Sequence, residues 1–170
     1  MISPTTPRQM FEEILISTNH VLGPVGFKRR SSTFRLIDQG NCGIIDFQRS
    51  DKSSSEKLIF TVNICVVCGE LLDGAPSQLD QVPITSAHLR HRVGKLLPGR
   101  PDKWWELSSP TTMASVSQEV ISLIETQVVP YIKKYLSTNE LIELWRTGQA
   151  PGLTAIGRDQ FLLRLQKRRS

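Results

Sequence analysis

The stretch LIFTVNICVV, residues 58–67, places apolar side chains at every second position: Leu58, Phe60, Val62, Ile64 and Val66. Successive side chains of a strand point to opposite faces of a sheet, so this alternation predicts a β-strand with one face in a core. The opposite face of the same strand carries Ile59, Thr61, Asn63, Cys65 and Val67. The segments on either side of this stretch then decide what kind of sheet the strand joins.

Two alternating segments precede it, at residues 33–37 and 44–48, and they flank the turn sequence of residues 38–41, DQGN. This arrangement predicts a β-hairpin. Before the hairpin, residues 6–9 combine an N-cap threonine, a proline and a capping-box glutamine. They predict the start of a helix, which we expect to end at residues 23–24, Gly-Pro.

Further strands and helices follow the central strand. Residues 88–93 alternate again and predict a fourth strand, with a short helix as the alternative, and residues 103–107 add a fifth strand. Helical spacing returns over residues 113–135, where Pro130 is expected to kink or split the helix. A second capping box at residues 137–140 opens another helix.

Strands and helices that are segregated along a chain favour an α+β fold with an antiparallel sheet. We therefore predict a single α+β domain, residues 1–147, with an N-terminal helix, an antiparallel sheet of about four to five strands, and C-terminal helices packed on one face. Residues 148–170 are expected to form a linker and a basic C-terminal tail, for which a last helix is one option.

The composition is that of a folded protein: 170 residues, 39% of them hydrophobic and 22% charged. No apolar run approaches the ~20 residues of a membrane-spanning helix, and the N-terminal sequence lacks the pattern of a signal peptide. Three cysteines are too few, and odd in number, for a disulfide framework. We therefore expect a cytoplasmic protein with no membrane partner.

Positive charge is concentrated in the second half of the chain, where residues 86–170 contain 13 Lys and Arg against 7 Asp and Glu. One basic cluster comprises Arg90, Arg92, Lys95, Arg100 and Lys103, and the tail adds Arg158, Arg164, Lys167, Arg168 and Arg169. Clustered cations are the usual electrostatic footprint of nucleic-acid binding. A solvated helical tail that only aids solubility is the alternative interpretation.

Several short segments occur in a distinctive order: Gly26-Phe27-Lys28-Arg29-Arg30, Phe34, Asp46-Phe47-Gln48-Arg49-Ser50, Phe60-Thr61-Val62-Asn63, Arg92-Val93-Gly94 and Trp104-Trp105. Over about residues 8–145, this ordered set resembles a bacterial family, the domain of unknown function 4304. The resemblance implies a small intracellular bacterial domain with no assigned activity. It therefore supplies no catalytic residues.

The strand alternation also predicts which polar side chains share the sheet face opposite the helices: Thr33, Arg35, Asp46, Gln48, Thr61, Asn63, Arg90 and Arg92. Arginine and amide groups on one face can bind a carboxylate, a phosphate or a loop of a protein partner. Alternatively, these side chains pair across strands on a solvated face, with Asp46 bound to Arg90 or Arg92.

Trp104 and Trp105 are neighbours on the predicted fifth strand. One ring is therefore expected in the core, and the other is exposed as a possible interface anchor. Burial of both rings at the sheet edge is the alternative.

Two cysteines and two histidines, Cys65, Cys68, His88 and His91, raise the alternative of a zinc site, since zinc takes sulfur and nitrogen ligands. Residues three apart on a strand point to opposite faces, so Cys68 would have to lie in a turn. Buried cysteines that pack as small hydrophobic residues are the commoner arrangement.

The chain lacks the motifs of serine hydrolases, zinc proteases and phosphate-binding loops, and we expect neither catalysis nor a cofactor. The favoured hypothesis is a binding module that recognises a protein partner through the polar sheet face and Trp104 or Trp105. A toxin-neutralising (immunity) role is one form of it, by analogy alone. Nucleic-acid binding through residues 90–103 and the tail is the alternative, and a small zinc-stabilised module is another. The oligomeric state stays open.

Overall fold

The computed structural model describes residues 3–73, 76–149 and 153–170. In these residues the chain forms α1 (Pro7–Leu22), β1 (Lys28–Arg30), β2 (Thr33–Asp38), β3 (Asn41–Arg49), β4 (Leu58–Cys68), β5 (Leu89–Arg92), β6 (Trp105–Leu107), α2 (Pro110–Leu123), α3 (Val129–Tyr135), α4 (Thr138–Arg146) and α5 (Ala155–Arg169). The predicted α+β class, with an N-terminal helix, an antiparallel sheet and C-terminal helices, is confirmed. No helix among the described residues has both the length and the apolar character needed to cross a bilayer.

The sheet is antiparallel throughout and has the strand order β1-β2-β3-β4-β5. The short strand β6 pairs with the first residues of β4, on the edge of β4 that β5 occupies further along. The strand predicted at residues 58–67 is therefore the central strand, because β4 pairs with β3 along one edge and with β5 and β6 along the other. The sequence did not predict β1, because its three residues are all Lys or Arg and carry no hydrophobic period.

The main core lies between one face of this sheet and the helices α1 and α2. Phe60 of β4 is fully buried there, and its ring centroid lies 5.2 Å from Phe11, 5.9 Å from Phe47 and 5.5 Å from Trp105. The aromatic residues of α1, β3, β4 and β6 therefore pack as one cluster, which fixes β4 beneath the helices.

The helical run after β6 changes its hydrogen-bonding pattern before Pro130. A π-helical segment, Ile124–Val128, connects α2 to α3, and Pro130 lies in the first turn of α3. Proline has no backbone N–H to donate to the preceding turn, and a π-turn accommodates that loss. The interruption expected at this proline therefore takes the form of a π-segment.

The other face of the sheet is divided into two parts. Four fully buried side chains form a second apolar cluster there with Leu79 and Val82: Cys42, Ile44, Cys65 and Val67. The segment that covers them, residues 76–87, is made largely of 3-10 turns. The part of this face nearer Gln48 and Asn63 is left uncovered by this segment and borders a cleft.

Candidate binding cleft

A cleft of about 440 Å³ opens beside the covered part of this face. Its lining residues are Gln48, Asn63, Ala87, His88, Arg90, His91, Arg92 and Leu153. The strands β3, β4 and β5 supply most of them, and Asn63 pairs directly with Arg92 in the sheet register. Four of the polar-face residues predicted from strand alternation thus meet in one concave site: Gln48, Asn63, Arg90 and Arg92.

The carboxylate of Asp46 orders the amide groups at the floor of this cleft. Asp46 accepts hydrogen bonds from Thr33 Oγ1 at 2.9 Å and from Asn63 Nδ2 at 3.2 Å. Asn63 Nδ2 also donates to Gln48 Oε1 at 2.9 Å. This chain of hydrogen bonds joins β2, β3 and β4. The side-chain amides of Asn63 and Gln48 are therefore held in place before any ligand binds.

The predicted ion pair between Asp46 and Arg90 or Arg92 is wrong. Strand β4 lies between β3 and β5, so Asn63 separates Asp46 from Arg92 in the register. Alternation along a strand assigns a residue to a face, but it does not say which strands are neighbours.

Arg92 is held instead by the loop that precedes β6. Its Nη1 donates to both carboxylate oxygens of Asp102 at 3.0 Å, and Trp104 Nε1 donates to the same carboxylate at 3.1 Å. The Arg92 guanidinium also lies 4.8 Å from the centroid of the Trp104 ring. The hydrogen bond from Trp104 and the contact with Arg92 lower the pKa of Asp102. These contacts give the half-buried Trp104 ring a fixed position at the edge of the cleft.

Arg90 differs from Arg92 in that its charge is not neutralised by a contact. It is exposed on β5, opposite Cys65. Among the residues that the structure describes, no acidic oxygen lies within 4.0 Å of its guanidinium. Arg90 is therefore the cation of the cleft that remains available to a ligand.

Two predicted binding residues lie away from the cleft. Trp105 is 4% exposed and stacks on Phe60 in the core, so its ring is inaccessible to a partner. Arg35 lies on the polar face, but its guanidinium donates to the carbonyl of Val82 at 2.8 Å, on the far side of the covering segment.

The structure does not bring the proposed zinc ligands together. Cys65 packs in the cluster beneath residues 76–87, whereas Cys68 packs on the opposite face with Leu71 and Trp145. Burial raises the pKa of the Cys65 thiol to about 12, so it stays protonated. In the described part of the chain, no three His, Cys, Asp or Glu side chains lie close enough to hold a metal ion.

The two histidines of that set have other contacts. His91 Nε2 and the Tyr131 hydroxyl lie 2.9 Å apart. His88 Nδ1 accepts the backbone N–H of Cys68 at 2.9 Å, and its ring packs edge-to-face on Phe161 of α5. These contacts could not be predicted from the sequence, because they join residues that are far apart along the chain.

Acidification should destabilise the fold through His88. Burial, and secondarily the charge of Arg164, lower its pKa to about 4, so the folded state resists a proton that the unfolded chain accepts near pH 6.5. This contribution is present above pH 6.5 and is lost towards pH 4, by up to roughly 3 kcal/mol of unfolding free energy. Urea unfolding at several pH values measures this effect. Between pH 6.5 and pH 4, the unfolding free energy of His88→Gln should fall less than that of the wild type. Parallel curves of unfolding free energy against pH for the two proteins would contradict the assignment.

The basic tail forms helix α5, and most of its arginines have internal partners. Leu165 is buried, while Arg164 and Arg168 contact Asp73 and Arg169 forms an ion pair with Glu70 at 2.9 Å. Arg164 and Arg168 also donate to the backbone carbonyls of residues 70–72. Arg158 donates to the carbonyl of Gly148. Lys167 has no such acidic partner within 4.0 Å among the described residues.

The basic cluster of residues 90–103 is also partly engaged. Arg92 is bound to Asp102, and Lys103 forms an ion pair with Glu119 at 2.8 Å. Arg90, Lys95 and Arg100 are not joined to an acidic group within 4.0 Å in the part of the chain described. The unpaired positive charge of this cluster is therefore smaller than the sequence count indicates, and Arg90 is its member that lines the cleft.

These features define an antiparallel α+β domain with an arginine-lined cleft on one face of its sheet. A family model described as Domain of unknown function (DUF4304) matches residues 18–134, and the chain belongs to this family. The matched region includes all six strands, so it contains the sheet residues of the cleft. No curated protein and no solved structure matched the chain.

Proposed function

We propose that the chain is a non-catalytic module that recognises a protein partner at this cleft, with an acidic loop of the partner placed against Arg90. The observation that supports the proposal most directly is the contrast between the two arginines. Arg92 is already neutralised by Asp102, while the neighbouring Arg90 is exposed and contacts no carboxylate of the residues that the structure describes.

The surroundings of Arg90 suit a protein interface. Arginine and tryptophan are enriched among residues that dominate binding energy, and Trp104 lies beside the cleft on Arg92. Side chains that are already ordered lose little conformational entropy on binding. Asp102 orders Arg92 and Trp104, and Asp46 orders Asn63, which leaves Arg90 as the arginine of the cleft that the partner has to fix.

Nucleic-acid binding remains the alternative proposal, but fewer cations of the tail are available for it than the sequence indicates. Arg164, Arg168 and Arg169 hold α5 against residues 70–73, and replacing them would test the docking of that helix as well as binding. Lys167→Ala is the cleaner variant for this alternative. A loss of captured nucleic acid in Lys167→Ala would support it.

The proposal predicts that Arg90→Glu abolishes partner capture. A charge reversal at the centre of such an interface costs at least about 2 kcal/mol, or roughly a 30-fold loss of affinity. The tagged protein is first used to capture its partner from nuclease-treated lysate. The affinity of the purified pair is then measured by calorimetry for the wild type and the variant.

The matched control is Arg8→Glu, since Arg8 is an exposed cation on α1, on the other side of the sheet. We expect Arg8→Glu to bind as the wild type does. Equal affinity of Arg90→Glu and the wild type would overturn the proposed site. Capture that disappears after nuclease treatment would favour the nucleic-acid alternative instead.

A further inference from the structure

A second cavity, of about 590 Å³, lies at the opposite end of the same sheet face, where β1 forms the sheet edge. Its lining residues are Gly26, Lys28, Arg29, Arg30, Arg35, Ile37 and Asp80. Four of these residues are basic and one is acidic. The cavity is separate from the cleft at Arg90, which shares none of its lining residues.

The strand register places like charges against each other in this cavity. Lys28 of β1 is the direct partner of Arg35 in β2, so the two side chains share one face of the sheet. Arg30 is two residues along β1 and lies on the same face. Like charges that are directly opposite in a sheet destabilise it. The fold therefore carries a repulsion here that an anion would relieve.

Arg35 is the fixed member of this group. Its side chain is half-buried, and its Nη1 donates to the carbonyl of Val82 at 2.8 Å, which anchors the guanidinium without neutralising it. Arg29 is different, because its guanidinium forms an ion pair with Glu12 at 2.7 Å. One anchored cation thus lies beside Lys28 and Arg30, both of which are exposed and free to close on a ligand.

The acidic group of the cavity does not cancel these charges by contact. Within the described residues, no oxygen of Asp80 lies within 4.0 Å of a nitrogen of Lys28 or Arg35. The apolar side chain of Ile37 is 49% exposed at the same cavity. The cavity therefore offers a strongly cationic end next to an apolar wall.

We propose that this cavity binds a small phosphorylated ligand, with its phosphate groups held by Arg35, Lys28 and Arg30. A phosphate group carries up to two negative charges and three acceptor oxygens, which matches an anchored guanidinium with two flexible cations. The volume lies within the roughly 300–1,000 Å³ of small-molecule sites, and Ile37 provides a surface for the part of the ligand beyond its phosphate. This site is independent of partner recognition at the cleft.

Inorganic pyrophosphate is the probe for this proposal, compared with sodium chloride at equal ionic strength. At ten times its dissociation constant, pyrophosphate should raise the melting temperature of the full chain by about 3–5 °C over the chloride sample. In amide NMR spectra of the same titration, the largest shifts should occur in residues 26–37 and 80–82. A melting temperature identical in the two salts would overturn the proposal.

Lys28→Gln supplies the decisive variant, because Lys28 is exposed and its replacement leaves the anchor of Arg35 intact. Removal of the repulsion should raise the melting temperature without ligand by about 1–3 °C. The same variant should lose most of the pyrophosphate shift. The matched control is Lys133→Gln on the exposed side of α3, which should retain the full shift. An equal pyrophosphate shift in Lys28→Gln and the wild type would show general salt binding and overturn the assignment.

Discussion

Replacement of Phe60 with alanine is expected to lower the free energy of unfolding by about 3–5 kcal/mol. Phe60 is fully buried in β4, and its ring contacts aromatic residues of α1, β3 and β6. Truncation would leave a cavity that three separate elements border, and these elements cannot all move to fill it. Since domains of this size are stable by only about 5–15 kcal/mol, this loss is a large fraction of the total stability.

Urea unfolding followed by circular dichroism measures this loss directly. The matched control is Leu163→Ala in α5, where the side chain is 57% exposed and the change should stay within about 0.5 kcal/mol. A loss below about 1.5 kcal/mol for Phe60→Ala would mean that the aromatic cluster does not hold β4 in the way described.

The faces of the sheet could be predicted from the sequence because burial imposes a period of two on a strand. Leu58, Phe60 and Val62 lie on the helix side, and Asn63 lies on the polar side with Gln48, as the alternation indicated. The neighbours of each strand could not be predicted in the same way. The error over Asp46 has this origin, since its true partners depend on β4 being placed between β3 and β5.

Two of the eight residues that line the cleft, Ala87 and Leu153, could not be predicted, because they belong to segments without a hydrophobic period. Ala87 ends the 3-10 segment that covers Cys65 and Ile44, and Leu153 precedes α5. Local sequence gives no signal that such segments approach the sheet. Strand alternation predicted the position of the arginine and amide side chains of the cleft, whereas no pattern predicted the turn residues that enclose them.

The tail illustrates the limit of counting charges. Arg168 and Arg169 belong to a run of cations that resembles a nucleic-acid contact, yet their acidic partners Asp73 and Glu70 are nearly a hundred residues away. The contact with Arg169 lowers the pKa of Glu70, so this pairing also favours the ionised carboxylate. The folded structure is needed to see that these cations form ion pairs within the protein.

Replacement of Gly94 with alanine is expected to disturb the cleft and the fold together. A Cβ atom at this position would lie 1.8 Å from the carbonyl oxygen of Pro101 and 3.1 Å from the backbone nitrogen of Lys103. Both contacts are with backbone, so a side-chain rotation cannot relieve them. We expect a loss of at least about 3 kcal/mol of unfolding free energy, at the upper end of the usual cost of overpacking.

The clash matters for function because it displaces the loop that carries Asp102 and Trp104 to Arg92. A backbone shift there should break the Arg92–Asp102 contact, so the indole N–H resonance of Trp104 should move and partner capture should fall as well. The matched control is Gly23→Ala, since a Cβ at Gly23 meets no atom within 4 Å and its φ of −55° suits alanine. That change should be neutral or stabilise the protein by up to about 1 kcal/mol. If Gly94→Ala were as stable as Gly23→Ala and kept the Trp104 resonance in place, Arg92 would not depend on this close approach of two backbone segments.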